Sequence, residues 1–265
     1  MDITSITFPK NRKAPINTVP HAPCFYTPFN FGVDEDLYAL GGKNVKVAVV
    51  GTGSPVHKDL SDSTVSEVAV GGIDGDDIHG YSTMISGILC GHGEILGMVP
   101  DIELLSIRAV DNSGKTDYKM LTASVLLATV KRADVVILPP ISDHMNETLK
   151  NAIDKAYKMN IIMLSCVENK MSDFCDSNPE VFFLKPPYKR KKVFYNIKRS
   201  DNRVDLKTLS RNAYTTFLNN QYIAPPSCIE AMGVLAGVIS IYLPEIQQKK
   251  YTPYDALDYI IKHSK

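Results

Sequence analysis

Side chains able to serve as nucleophile, base or carboxylate gather at a few points of the chain. Ser227 and Cys228 are neighbours just before a long apolar stretch. His79 and His92 flank the apolar segment 81–91, and Asp59 follows a short glycine turn. A hydroxyl or thiol nucleophile needs an imidazole to take its proton and a carboxylate to hold that imidazole. One reading of these residues is a hydrolase that uses Cys228 or Ser227 with His79. The other is surface histidines with cysteines buried as small apolar residues.

Two further clusters carry charge. Asp74, Asp76 and Asp77 around Gly75 offer oxygen ligands of the kind calcium takes, or else a polar turn with acids placed near a helix start. Lys185–Arg199 carries Lys189, Arg190, Lys191, Lys192 and Lys198 among Tyr188, Phe194 and Tyr195. It reads as a docking surface for an acidic partner, or as a solvated loop and edge where lysines discourage aggregation. Lys+Arg and Asp+Glu both total 29. That balance, with no recognised motif, points away from nucleic acid and anionic membranes.

The elements that must position these groups alternate. Residues 1–40 hold Pro9, Pro15, Pro20, Pro23 and Pro28 without a sustained apolar period, which predicts an extended N-terminal arm with a short helix near Asp34–Leu40. Residues 41–265 form the domain proper. Strands are expected over 45–50, 65–70, 102–110, 134–138 and 161–166, with 181–184, 193–197 and 222–224 as further candidates. Helices are expected over 81–91, 120–132, 146–159, 229–243 and 253–262. The order implies an α/β fold in three layers, a mostly parallel sheet flanked by helices. The apolar run 231–243 is shorter than a bilayer span, so no membrane partner is expected. Five cysteines, an odd number with no CxxC spacing, predict reduced thiols and a cytoplasmic setting rather than a disulfide framework.

Several segments, in order, resemble the subtilisin (S8) family of serine proteases. Lys46–Gly53 followed by His57-Lys58-Asp59-Leu60 is similar to the strand that ends in the family's catalytic Asp. Gly80–Ile88 resembles the helix that begins with the catalytic His. Gly97-Met98-Val99-Pro100-Asp101 is similar to a turn of the family, and Ile161–Asn169 to the strand leading to the oxyanion Asn. Ala231–Gly237 resembles the helix behind the nucleophilic Ser. Aligning on Gly87 and Gly237 puts the triad positions at Gly51, Tyr81 and Ile229, and the oxyanion position at Asn169, with separations of 30, 88 and 60 residues.

The resemblance implies a subtilisin-like fold with a degenerate triad. Ile229 has no hydroxyl, Gly51 has no side chain, and a phenol at Tyr81 is a poor base near neutral pH. The chain is therefore expected to be no enzyme but a pseudoprotease, acting as a protein-binding scaffold, regulator or structural subunit without a cofactor. Family members bind substrate as an added strand. Asp111-Asn112-Ser113-Gly114 keeps a family-like sequence on one side of that groove. Pro139-Pro140 on the other side lacks the N–H groups that strand addition needs. A protein partner is expected through residues 1–40, through Lys185–Arg199 or through this remodelled groove. No pro-domain is evident before Val45.

Overall fold

The computed structural model of the chain describes residues 3–6, 14–20, 24–71, 75–141, 145–166, 175–184, 197–200, 203–206, 213–247 and 251–263. Residues 1–40 contribute β1 (Ile3–Ser5), β2 (Cys24–Phe25) and helix α1 (Glu35–Leu40). Next come β3 (Lys46–Gly51), β4 (Thr64–Ala69), α2 (Tyr81–Cys90), β5 (Ile95–Leu96), β6 (Glu103–Arg108) and β7 (Lys115–Asp117). Then come α3 (Tyr118–Val130), β8 (Val135–Ile137), α4 (Glu147–Lys158), β9 (Ile162–Cys166) and β10 (Val181–Leu184). The last part holds β11 (Ile197–Ser200), β12 (Arg203–Leu206), β13 (Thr215–Phe217), β14 (Gln221–Ile223), α5 (Ser227–Ile246) and α6 (Pro253–His263).

The central sheet runs β11-β12-β10-β9-β8-β3-β6-β4. All its pairs are parallel except β11 with β12. Because side chains alternate along a strand, the two faces feed separate cores. Val47, Val49, Leu104, Ile137 and Leu164 point to one cluster, together with α2, α5 and α6. Ala48, Val50, Leu105, Ile107 and Met163 point to the other, with α3 and α4. A strand buried on both faces reads as a continuous apolar run, which is why β3 was legible.

Local chemistry sets the helix starts. Asp34, Asp117 and Asn146 each accept a hydrogen bond from the amide three residues on, at Leu37, Met120 and Leu149. Gly80 begins α2 at φ +96, and a Cβ there would lie 2.2 Å from Phe217 Cε2, so both its conformation and its neighbour require glycine.

One expectation changes. Helix α5 is longer than the apolar run suggested: 20 residues, long and apolar enough to cross a bilayer. Here it is a core helix, with 83% of its most apolar window buried inside the domain. Of the strand expected at 193–197, residues 193–196 lie outside the described residues, and β11 covers Ile197–Ser200. Among the short strands paired as β1–β7, β2–β5 and β13–β14, only 222–224 was an expected strand, because two or three residues carry no readable period.

Candidate active-site region

The carboxyl end of β3 and the amino end of α2 meet at Gly51 and Tyr81. Gly51 carries the last strand position, and its carbonyl accepts from the amides of Ala109 and Val110, both at 3.0 Å. A Cβ on Gly51 would lie 2.3 Å from Ser82 Oγ and 3.0 Å from Tyr81 Cδ1. Tyr81 is fully buried, and its hydroxyl donates to the carbonyl of Leu138 at 3.4 Å. Burial raises its pKa far above the ordinary phenol value, which makes proton abstraction by this group still harder. Ile229, in the first turn of α5, is 3% exposed and belongs to the same core cluster as Tyr81. Asn169 lies outside the described residues.

The two glycines that set the alignment are sites of close approach, though not to the central sheet. A Cβ on Gly87 would meet the hydroxyls of Thr216 and Thr215 at 2.2 and 2.7 Å, so its neighbour is β13. One on Gly237 would meet Met98 at 2.5 Å, in the turn after β5.

Beside Gly51 sits a polar cluster that the spacing alone did not reveal. Thr52 N–H donates to Ser82 Oγ at 2.9 Å, and Thr52 Oγ1 donates to Asp77 Oδ1 at 2.8 Å. Asp77 Oδ1 also accepts from the amides of His79 and Gly80, while Oδ2 accepts from the amide and hydroxyl of Thr83. Asp77 is therefore a buried cap at the start of α2, with both oxygens committed to donors inside the protein. Asp74, the other end of the acidic run, lies outside the described residues.

A second buried group joins distant segments. Asp59 Oδ2 accepts from the Ile95 amide at 2.8 Å, and Oδ1 accepts from the Tyr222 hydroxyl at 3.0 Å. His57 Nδ1 accepts from the Asp59 amide at 3.0 Å, so its proton sits on Nε2 and is donated to the Gln221 carbonyl at 3.1 Å. Lys58 pairs with Glu94 at 2.8 Å, and Glu94 also accepts from the Val19 amide. These contacts tie the segment after β3 to β14 and to the arm. Tyr222 was the missed member, because no local pattern brings residue 222 to residue 59.

The structure sets Cys228 against Cys166, sulfur facing sulfur across a Cα–Cα distance of 6.0 Å, so the neighbour of this thiol is Cys166 at the end of β9. The expectation of five separate reduced thiols did not foresee this pairing. β9 ends where α5 begins, which a sequence separation of 62 does not disclose. Cys90 is free but buried, and burial pushes its pKa up to about 12. His92 follows α2, where Nδ1 lies 2.8 Å from the Cys90 carbonyl and 3.2 Å from Ser63 Oγ. It stands at the opposite end of α2 from Tyr81.

With this geometry in place, the class of protein can be stated: the chain has the α/β fold of the subtilisin-like proteases. A solved structure of a mutant of the protease domain of PatA matches it with a TM-score of 0.63 at 14% identity, covering 83% of this chain and 86% of that one. Among curated proteins, the chain is 25% identical over 210 residues to Minor extracellular protease Epr of Bacillus subtilis (strain 168), covering 76% of this chain and 32% of that protein. It is 27% identical over 135 residues to Subtilisin DY of Bacillus licheniformis, covering 49% of each. The chain thus spans only about a third to a half of the curated relatives it matches. The sequence matches no protein-family model. The expectation that the chain is no enzyme is overturned by these comparisons: the relatives are named proteases and the matching fold is a protease domain, which points to an enzyme class.

Proposed function

We propose that this subtilisin-fold domain works by holding protein segments, as a scaffold, regulator or structural subunit, and that the Ser–His–Asp relay of its relatives is not the route it uses. The reading is supported by what surrounds Gly51, Tyr81 and Ile229, the positions that the resemblance assigns to the triad. Tyr81 and Ile229 are buried in one apolar cluster, and Gly51 is backed against the Tyr81 ring. An acyl-enzyme needs a nucleophile at the first turn of α5 and a base at the start of α2. The side chains in those places supply burial instead. The surfaces proposed for a partner are residues 1–40, Lys185–Arg199 and the groove beside Pro139-Pro140.

The test pairs two measurements on the purified chain. One is capture of binding partners by the full chain and by a copy lacking residues 1–40, with complex stoichiometry read by mass. A one-to-one complex that depends on residues 1–40 supports the reading. The other is hydrolysis of a fluorogenic peptide library. Turnover that scales with protein and is blocked by a serine-directed phosphonate would sink the reading.

A further inference from the structure

Cys166 and Cys228 form a paired thiol site, and we infer that the pair closes and opens by exchange with a low-molecular-weight disulfide. Cys166 is the last residue of β9, and Cys228 is the second of α5. Their Cα atoms lie 6.0 Å apart, inside the range that a disulfide spans. A separation in that range lets the sulfurs join without moving either element. The two residues are 62 apart in sequence, so the pairing belongs to the folded chain.

The two sulfurs are not equally reachable. Cys166 is 2% exposed, whereas Cys228 is half-buried at the border of the same apolar cluster. An incoming disulfide therefore meets Cys228 first. The Cys228 thiolate attacks one sulfur of that disulfide and forms a mixed disulfide, and the first small thiol leaves with the proton that Cys228 gave up. The Cys166 thiolate then attacks the Cys228 sulfur and forms the internal bond, and the second small thiol leaves with the proton of Cys166. Two protein thiols are oxidised, and the small disulfide is reduced to two thiols. Held face to face, Cys166 resolves the mixed disulfide faster than a thiol from solution does. Cys90 and Cys175 are buried elsewhere: Cys90 ends α2, and Cys175 packs in the cluster on the other face of the sheet.

Closing the pair clasps the start of α5. That start is weakly held by local contacts, because Pro226 stands at the N-cap and supplies no side-chain hydrogen bond. The Glu230 amide donates to the Pro226 carbonyl at 3.0 Å. A covalent link from Cys228 to β9, which is paired on both sides with β8 and β10, fixes this turn to the sheet. Ile229 follows Cys228 directly, so the clasp acts on the residue that the resemblance assigns to the nucleophile. Neither the exchange chemistry nor the clasp rests on the protein-binding role proposed above.

The full chain is equilibrated in glutathione buffers whose reduced-to-oxidised ratio spans about four decades, then acid-quenched, alkylated and peptide-mapped. The linked Cys166–Cys228 peptide is expected to rise with the oxidised fraction and to fall again when the ratio is reversed. Cys166→Ser is expected to accumulate the mixed disulfide at Cys228 to at least about tenfold the wild-type level, because the resolving thiol is gone. In hydrogen exchange, the Glu230 amide is expected to be at least about tenfold slower in the oxidised chain than in the reduced one. Absence of the linked peptide at every ratio overturns the inference, and so does a link that no ratio opens. Equal Glu230 exchange in the two forms overturns the clasp. If Cys166→Ser fails to fold, the wild-type titration decides alone. Failure to capture a partner would sink the proposed role and leave the thiol titration untouched.

Discussion

Gly51 backs directly onto the ring of Tyr81, with room for no more than hydrogen between them: a Cβ would stand 3.0 Å from Cδ1 and 2.3 Å from Ser82 Oγ. Ser82 cannot yield freely, because its hydroxyl accepts the Thr52 amide. Gly51→Ala is expected to destabilise by about 1–3 kcal/mol through overpacking. Because the clash is shared with one neighbour, Gly51→Ala and Ser82→Ala are expected to be non-additive in a double-mutant cycle read by urea denaturation. Additive losses would show that Ser82 is not what resists the new methyl.

Asp77 gathers the start of α2 against β3. Replacing it by alanine strips acceptors from Thr52, His79, Gly80 and Thr83 at once. The expected loss is about 2–4 kcal/mol, since buried donors are left unpaired. Asp77→Asn keeps one oxygen and should lose less. Chemical denaturation of both variants checks the order.

His57 makes stability depend on pH with a definite sign. Burial is the largest influence on its ring and holds its pKa below the ordinary value, against the opposing pull of Asp59. An unfolded histidine takes up a proton near pH of about 6.5. Below that point the unfolded state holds more protons than the folded one, so stability falls as pH falls. The contribution is whole above the ordinary value and is spent once pH passes below the folded value. Urea midpoints are expected to decline between about pH 7 and the folded value, and to decline less in His57→Gln. An unchanged slope in the variant would assign the dependence to another group.

The Cys166–Cys228 bond predicts the thiol chemistry of the native chain. Without reductant, iodoacetamide should leave both residues unmodified, and the intact mass should be two hydrogens below the fully reduced value. If the two sulfurs bond, reduction should cost about 4 kcal/mol, as the chain-entropy relation gives for a separation of 62 residues. Alkylation of Cys228 in the unreduced protein would revive a thiolate there.

What the sequence determined by itself was the central architecture. Apolar runs such as 47–50 and 162–166 are buried on both faces of a sheet, so they read as continuous apolar stretches without a structure. Asp34 and Asn146 announced helix starts because capping is a local interaction. The resemblance assigned Gly51, Tyr81 and Ile229 to the triad; the structure sets Gly51 against Tyr81 and puts Tyr81 and Ile229 in one cluster, which leaves that assignment itself a proposal. Only the tertiary structure decided what met across long separations. Tyr222 reaches Asp59, Cys228 reaches Cys166, and Ile3–Ile6 reaches 114–117. None of these has a local signature, because a contact between distant residues is fixed by how the layers pack and leaves no period in either segment.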